Sequence, residues 1–293
     1  MKKQIFKGCG TALVTPFNQD ESINFKKLEE LIDYQIKNNA DAIIICGTTG
    51  ESSTMSESEQ KETIKFAVEK VNKRTPVIAG TGSNNTKHAI NLSRYAQEVG
   101  ADAVLVVTPY YNKTSQQGLY EHYKAISNSI SIPVVLYNVP SRTGLNIAPE
   151  TVKKLSEIEN INSIKECNLD QMLKTKSLCG EDINIYSGND HQVLPCLSYG
   201  GLGVISVMSN IIVKDVHKMV TDFHNENFKD ALDMQIRTQE LINGLGLDVN
   251  PIPIKTAMNL MKMEVGACRL PLVNTSEENI QKISEALERY GVQ

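Results

Sequence analysis

Short apolar runs recur eight times along the chain, and longer amphipathic stretches separate them. In one such stretch, residues 24–39 (NFKKLEELIDYQIKNN), the apolar side chains fall at helical spacing. Strands that alternate with helices pair in parallel through right-handed crossovers. The near-continuous Val and Ile content of the runs indicates strands that are buried on both faces. The predicted strands cover residues 11–17, 40–47, 75–81, 101–109, 132–140, 161–167, 183–188 and 203–209.

Eight strand–helix units within about 210 residues predict a (β/α)8 TIM barrel. A doubly wound sheet is the alternative, but no GxGxxG pattern follows the first run, where GCGTAL opens a strand rather than a helix. We expect residues 1–224 to form the barrel. Residues 225–293 have helical patterns, the last of which opens with a capping-box signature and closes at a glycine. We expect this stretch to form a small C-terminal helical appendage packed on the barrel.

The overall charge of the chain helps to exclude nucleic-acid-binding and membrane-binding classes of protein. The chain has 293 residues, with 30 Lys and Arg against 34 Asp and Glu, and a formal net charge of −4. This balance favours a soluble protein and disfavours binding of nucleic acid or of an anionic membrane. The first ten residues, MKKQIFKGCG, lack the apolar stretch of a signal peptide, and the longest apolar runs are too short to span a bilayer. We therefore expect a cytoplasmic protein.

The cysteines and histidines show no metal-binding or redox pattern. The sequence contains no CxxC pair and no HExxH, and no GxSxG that would indicate a serine nucleophile. Metal-dependent and serine-hydrolase mechanisms therefore have little support. We expect reduced thiols at all six cysteines, which are Cys9, Cys46, Cys167, Cys179, Cys196 and Cys268.

A lysine lies in the middle of the predicted strand NSIKECN, where a charged side chain is unusual. Strand alternation places Ser163, Lys165 and Cys167 on one face, and Ile164 and Glu166 on the other. If Ile164 faces the helices, Lys165 points into the barrel, where desolvation would lower its pKa. A neutral amine there can form a Schiff base with a ketone or aldehyde. A lysine paired with a barrel carboxylate for structural reasons is the alternative.

Other polar residues follow the ends of neighbouring strands. Tyr137 can point inward and relay protons, or it can be a core tyrosine with a satisfied hydroxyl. Arg142, in the loop PSRTG, suits capture of a substrate carboxylate, or it can be a solvated loop arginine. Residues 47–52 (GTTGES) offer hydroxyls and backbone amides that can hold a small carboxylate. The side chains of Tyr110 and Tyr111 must diverge, so at most one should face the pocket.

Five motifs occur in a specific order: GTTGES, PYYN, YNVPSRTG, SIKE and NPIPIK. The chain thereby resembles the dihydrodipicolinate synthase family, within the pyruvate-dependent class I aldolase and lyase superfamily, from GTALVTPF to RLPL nearly end to end. The resemblance implies a (β/α)8 barrel with a C-terminal helical domain and a homotetramer built from tight dimers. It also implies condensation of pyruvate with L-aspartate 4-semialdehyde to 4-hydroxy-tetrahydrodipicolinate, the step that leads into diaminopimelate and lysine biosynthesis. It implies no metal or organic cofactor.

The resemblance also implies roles for individual residues. Lys165 matches the Schiff-base lysine and Tyr137 the general acid/base tyrosine. Thr48 matches a threonine that links Tyr137 to a second tyrosine. That second tyrosine is Tyr111, which in the family reaches across the tight dimer interface into the neighbour's site. Thr49 matches a ligand of the pyruvate carboxylate, and Arg142 matches the arginine that binds the semialdehyde carboxylate. The backbone positions near the reacting groups are Gly188 and Ile205.

The chain departs from the family pattern at the possible allosteric site. Lysine-inhibited bacterial members carry two histidines after GTTGES, whereas Glu57 and Gln60 occupy those positions here. His88 replaces a glutamate of the same site, while Asn84 and Tyr110 fit the pattern. We therefore expect weak or absent inhibition by lysine.

Two other functions compete with the synthase. N-acetylneuraminate lyase and related 2-keto-acid aldolases share the barrel, the tyrosine and the lysine, but the sialic-acid branch lacks an arginine at the position of Arg142. The two threonines of GTTGE also favour the synthase. A catalytically silent barrel that acts as a small-molecule sensor would show these functional residues replaced, and none is.

Overall fold

Eight parallel strands close into a barrel in chain order in the computed structural model, which describes residues 2–292. Each strand pairs with its neighbours in the sequence, and the first pairs with the last. This confirms the predicted (β/α)8 barrel, and the alternative of a doubly wound sheet is wrong. The strands are β1 (Gly8–Ala12), β2 (Ala42–Ile45), β3 (Val77–Gly80), β4 (Ala103–Val107), β5 (Val134–Asn138), β6 (Ile161–Glu166), β7 (Asn184–Ser187) and β8 (Gly203–Ser206).

Helices connect the strands on the outside of the barrel and continue beyond it. No helix of residues 2–292 is both long enough and apolar enough to cross a membrane. The helices are α1 (Phe25–Lys37), α2 (Glu57–Val71), α3 (Thr86–Glu98), α4 (Gln116–Ser127), α5 (Pro140–Thr143), α6 (Pro149–Ser156), α7 (Leu169–Cys179), α8 (Val193–Ser198), α9 (Ser209–His224), α10 (Phe228–Arg237), α11 (Gln239–Leu245), α12 (Ile252–Leu260) and α13 (Glu277–Tyr290).

The first strand begins earlier than the apolar pattern predicts. The structure places it at Gly8–Ala12, whereas the expected run covers residues 11–17. Glycines are poor strand formers, so the two in GCGTA conceal its start. The apolar residues after Ala12 are buried for another reason. Phe17 donates its backbone N–H to the carbonyl of Val265 (3.1 Å), so this end of the run packs against the C-terminal part of the chain.

Apolar side chains form two layers, one between the barrel and the helices and one inside the barrel. Ile164 belongs to the outer layer, and Tyr137 belongs to the inner layer. The interior is filled rather than open, as expected of an eight-stranded barrel. Near its N-terminal end the rings of Phe6 and Tyr186 stack at 4.2 Å, and the Tyr186 hydroxyl donates to the Phe6 carbonyl (2.6 Å). One end of the barrel is therefore closed by packing.

The C-terminal helices begin with α10, just after the expected boundary at residues 224 and 225. The division of the chain into residues 1–224 and 225–293 stays a prediction. Helix α13 ends at Tyr290, and the capping residue Gly291 has a left-handed φ of 89°, as the glycine signal predicts. Its predicted capping box is wrong. The Ser276 hydroxyl accepts from the backbone N–H of Asn279, but the Asn279 side chain bonds to Thr275 and Leu247 instead of returning to the cap.

An ion pair joins α9 to the N-terminal end of the barrel. His217 Nδ1 lies 2.7 Å from Asp41 Oδ2, which also accepts the backbone N–H of Cys9. A Cβ at Gly8 would lie 2.0 Å from the same carboxylate oxygen, so only glycine fits there. The hydrogen bond to Asp41 raises the pKa of His217, and partial burial opposes the rise.

We predict that this pair stabilises the fold more at acidic than at alkaline pH. Because the pKa of His217 is raised in the folded state, its contribution is complete below the unfolded value of about 6.5 and is lost as pH rises through the folded pKa. His217→Gln should therefore lower the free energy of unfolding more at pH 6 than at pH 9, by about 0.5–1 kcal/mol after allowing for solvent screening. Urea unfolding at the two pH values measures this, and an equal loss at both would contradict it.

Candidate active site

Lys165 and Tyr137 lie side by side at the carboxyl ends of β6 and β5. The two residues are direct partners in the strand register. Lys165 Nζ lies 4.4 Å from the centre of the Tyr137 ring, and the side chains are only 5% and 6% exposed. Because Ile164 packs toward the helices, Lys165 points into the barrel, which confirms the predicted orientation. Tyr137 likewise faces inward.

Lys165 has no carboxylate partner among the residues that the structure describes. Within residues 2–292, no Asp or Glu oxygen lies within 4.0 Å of its ammonium nitrogen. Gly188 instead allows the backbone after β7 to approach closely. A Cβ at Gly188 would lie 3.2 Å from Lys165 Cε and 2.3 Å from Cys167 Sγ. The structural pairing considered as an alternative is therefore wrong, and the amine has a close-fitting backbone surface beside it.

The residues that flank Lys165 have separate environments. Cys167 shares the inward face, as predicted, and burial raises the pKa of its thiol to about 11. Glu166 faces outward, where its carboxylate accepts from the Asn138 and Gln171 amides and from the Asn168 backbone N–H, each at 2.8 Å. Burial raises the pKa of Glu166 to about 7, and these hydrogen bonds oppose the rise. No pattern in the sequence indicates this network, which joins β5, β6 and α7 behind the site.

The loop after β2 carries the two predicted threonines. Thr48 and Tyr137 line the same small cavity at the top of the barrel. Thr49 is 2% exposed, and its hydroxyl oxygen accepts a hydrogen bond from Asn250 Nδ2 (3.0 Å). Glu51, two residues later, adopts a left-handed conformation with φ of 55°. The loop that carries the two threonine hydroxyls is therefore held by a hydrogen bond to Asn250 and contains a left-handed residue at Glu51.

Arg142 lies at the rim, on the four-residue helix α5. It is exposed, and its Nη2 donates to the backbone carbonyl of Asn250 (3.1 Å). Thr143, the next residue, hydrogen-bonds through its hydroxyl to the hydroxyl of Thr108 (3.0 Å), which ties the helix to the end of β4. Arg142 and Thr48 line a common cavity of about 320 Å³. The cavity therefore has the Arg142 guanidinium in its wall, and a guanidinium can bind a carboxylate.

The structure separates the two adjacent tyrosines. Tyr110 lines the cavity, whereas Tyr111 is 92% exposed and has φ of 69°. This confirms that at most one of them faces the pocket within a chain. Tyr111 does not join the other catalytic candidates in the single chain, so its role in a neighbour's site stays a prediction. Ile205 is fully buried in the barrel interior with Tyr137.

The possible allosteric positions border the same cavity. Gln60, His88 and Tyr110 line it together with Thr48 and Arg142. Glu57 lies outside the lining and is 3.4 Å from His88 Nδ1 and 2.6 Å from Lys61 Nζ. Farther along the rim, the Asn84 backbone carbonyl accepts from the Asn112 amide (3.0 Å).

Two of the five motifs are in contact, which their positions in the sequence do not indicate. Lys255, at the end of NPIPIK, forms a buried ion pair with Glu51 of GTTGES, with Nζ 2.8 Å from Oε1. Asn250, at the start of NPIPIK, reaches Thr49 and Arg142. The motif signalled the family, but its spacing does not indicate which loop it touches, because about 200 residues separate Asn250 from Thr49 and Lys255 from Glu51.

The fold and this site define a (β/α)8-barrel enzyme with a lysine at the centre of its site. A family profile, the dihydrodipicolinate synthetase family, matches residues 5–290. The 4-hydroxy-tetrahydrodipicolinate synthase of Acetivibrio thermocellus is 58% identical over all of both chains. The chain belongs to the dihydrodipicolinate synthetase family, which confirms the assignment made from the motifs and the lyase class that goes with it.

Solved structures agree with this assignment. A dihydrodipicolinate synthase from Cyanidioschyzon merolae, with lysine bound, has a TM-score of 0.96 and 38% identity, and the match covers 99% of this chain and 100% of that one. The chloride-inhibited enzyme from Acinetobacter baumannii, complexed with pyruvate, has a TM-score of 0.96 and 37% identity, with coverage of 98% and 100%. The barrel and the C-terminal helices therefore have counterparts throughout these relatives.

Proposed function

We propose that this chain condenses pyruvate with L-aspartate 4-semialdehyde to 4-hydroxy-tetrahydrodipicolinate through a Schiff base on Lys165. The observation that carries the proposal is the buried amine of Lys165, which lies against Tyr137 and has no carboxylate partner within residues 2–292. The names of the curated relatives support the reaction, and the pyruvate complex of the Acinetobacter baumannii relative supports the first substrate.

The chemistry follows from the reactivity of an imine. Lys165 Nζ attacks the ketone carbon of pyruvate, and loss of water leaves an imine that withdraws electrons from the neighbouring methyl group. Loss of a methyl proton gives an enamine, whose carbon forms a bond to the aldehyde carbon of the semialdehyde. The amino group of the semialdehyde then displaces Lys165 from the imine carbon and closes the ring. Each step moves protons, and we assign their transfer to Tyr137, whose ring lies 4.4 Å from Lys165 Nζ.

The surrounding residues take the roles that the family resemblance implies. Thr48 lines a cavity with Tyr137, and we assign to it the link to a second tyrosine that the resemblance implies. Thr49 binds the pyruvate carboxylate, and Arg142 binds the carboxylate of the semialdehyde. Gly188 supplies backbone beside Lys165, and a side chain there would clash with Cys167 Sγ and crowd Lys165 Cε. The buried Ile205 supplies backbone beside the reacting groups from β8.

We further propose a homotetramer of tight dimers in which Tyr111 enters the neighbouring subunit's site. Tyr111 is 92% exposed in the single chain, which is unusual for a large aromatic side chain. A second apolar surface lies on α10, where Phe228, Leu232 and Ile236 recur every four residues and are 49–64% exposed. Sedimentation velocity at micromolar concentration tests the assembly, and a monomer would contradict it.

We also propose that the protein works in the cytoplasm. All six cysteines are free in the structure, and four of them are buried. Free buried thiols are typical of a reducing compartment. Fractionation of the native cell, followed by mass spectrometry of this chain, tests the location.

The Schiff base predicts a covalent mark on one lysine. Borohydride added with pyruvate should reduce the imine and leave a pyruvate-derived group on Lys165, while borohydride alone should leave it unmodified. Peptide mass analysis identifies the site. Lys165→Met should abolish labelling and lower kcat by at least about a thousandfold, because the covalent route is lost. Lys255→Met is unsuitable as the control because it disturbs a buried ion pair, so Lys262→Met, on an exposed residue, serves instead.

Arg142 decides between the synthase and the lyase alternative. Arg142→Ala should raise KM for the semialdehyde by about tenfold to a hundredfold, since a charge-assisted contact to a carboxylate is lost, and it should leave trapping of pyruvate on Lys165 intact. Steady-state kinetics, with each substrate varied in turn, measures KM for the semialdehyde and for pyruvate separately. An undiminished kcat/KM for the semialdehyde would contradict the assignment. Cleavage of N-acetylneuraminate by the wild type, without condensation of the semialdehyde, would favour the lyase.

Lysine should inhibit the enzyme weakly or not at all. His88 offers no fixed negative charge to a cationic ligand, and the acidic Glu57 beside it is already paired with Lys61. A relative at 38% identity was solved with lysine bound, so identity alone does not decide the matter. Initial rates at saturating substrates should be unchanged by millimolar lysine. A low-micromolar inhibition constant would contradict the prediction.

A further inference from the structure

The segment Asn250 to Lys255 contacts the carboxylate-binding loop, residues 48–51, at both of its ends. Asn250 contacts Thr49 through its side-chain amide (3.0 Å), and Lys255 contacts Glu51 (2.8 Å). Each contact joins parts of the chain about 200 residues apart. Neither end of the segment has a role in the chemistry proposed above, although Asn250 contacts Thr49, which is assigned there to the pyruvate carboxylate.

The contact at Asn250 sets the direction of a hydroxyl group. A threonine hydroxyl has one proton to donate and two lone pairs to accept with. Because Asn250 Nδ2 donates to Thr49 Oγ1, it occupies a lone pair and leaves the hydroxyl proton free to point elsewhere. A carboxylate accepts hydrogen bonds and donates none, so only a hydroxyl oriented in this way can bind one. With one lone pair occupied by the amide, the Thr49 hydroxyl keeps its proton to donate to an anionic substrate.

The contact at Lys255 holds the backbone at Glu51, two residues after Thr49 in the same loop. Lys255 Nζ donates to Glu51 Oε1 (2.8 Å) and to the carbonyls of Thr15 (3.1 Å) and Ala267 (2.8 Å), which uses all three of its donors. The second carboxylate oxygen of Glu51 accepts the backbone N–H of Arg269 (3.0 Å). Glu51 holds a left-handed φ of 55°, which costs energy in a residue with a side chain. The hydrogen bonds from Lys255 and Arg269 to the Glu51 carboxylate hold the residue in this conformation.

Asn250 also contacts the second carboxylate ligand, but only through its backbone. Arg142 Nη2 donates to the Asn250 carbonyl oxygen (3.1 Å). A change of the Asn250 side chain therefore removes the contact with Thr49 and leaves an acceptor for Arg142 in place. This separation makes it possible to test the two substrates independently.

We propose that Asn250 is a positioning residue for the first substrate: its amide orients the Thr49 hydroxyl toward the pyruvate carboxylate, on a loop that the Lys255–Glu51 pair holds in shape. The inference rests on the proposed role of Thr49. It gives the motif NPIPIK a function in substrate recognition, and it makes the C-terminal part of the chain a contributor to the site.

The test compares KM for the two substrates. Asn250→Ala should raise KM for pyruvate by about fivefold to tenfold, the loss of roughly one hydrogen bond, and should change KM for the semialdehyde by less than about twofold. Asn250→Asp should raise KM for pyruvate further, because its carboxylate would accept the Thr49 proton and repel an anion. Asn243→Asp, the same change on an exposed residue of α11, is the control and should leave both KM values unchanged.

A double-mutant cycle with Thr49→Val tests whether Asn250 affects pyruvate binding through the Thr49 hydroxyl. If Asn250 acts through the hydroxyl, Asn250→Ala should add less than about twofold to KM for pyruvate in the Thr49→Val background. Independent, multiplying effects would overturn the inference, as would equal changes for both substrates. If Thr49→Val alone leaves KM for pyruvate unchanged, the proposed role of Thr49 fails and the inference fails with it. If Thr49→Val raises it and Asn250→Ala does not, the inference alone fails.

Discussion

The hydrogen-bond register between β5 and β6 fixes the relative positions of the groups on which the site depends. Parallel pairing sets Tyr137 opposite Lys165, and one step farther it sets Asn138 opposite Glu166. Because side chains alternate between the faces of a strand, the first pair points into the barrel and the second points toward the helices. A slip of one residue would break both pairs and would set Tyr137 opposite Ile164 or Glu166 instead of Lys165. The outer pair opposes such a slip, since Asn138 and Glu166 are hydrogen-bonded to each other across the strands (2.8 Å).

Two buried lysines show how the surroundings, rather than the residue type, decide a role. Lys255 is 2% exposed and meets Glu51 and two carbonyls, so every donor is satisfied. Burial lowers its pKa and the carboxylate opposes that shift. Lys165 is 5% exposed and faces an aromatic ring without a carboxylate partner in residues 2–292. Removing one member of a buried pair costs about 3–5 kcal/mol, so the first lysine is held structurally, whereas the second remains available for chemistry.

Much of the fold was predictable from the sequence because burial on both faces gives parallel strands a continuous apolar signal. Alternation along β6 was sufficient to orient Lys165, since Ile164 marks the helix side. Glycines hid the start of β1, and buried residues such as Leu13 extended its apolar run beyond the strand. Pattern alone did not decide the roles of Tyr137 or Arg142. These came from the order of the motifs, since any single tyrosine or arginine has a commoner structural explanation.

The contacts of Asn250 and Lys255 could not be predicted in the same way, because they depend on how the C-terminal chain folds back over the barrel rim. The difference in burial explains why one proposed carboxylate ligand is a neutral threonine and the other a charged arginine. Thr49 is 2% exposed and rests on a buried backbone, so a neutral hydroxyl held by an amide avoids the cost of burying another charge. Arg142 lies at the exposed rim, where a guanidinium remains hydrated until a substrate arrives. The proposed ligand of the semialdehyde carboxylate is therefore exposed, whereas Lys165 and Thr49 are both buried, so the proposed mechanism places the second substrate nearer the rim than the first.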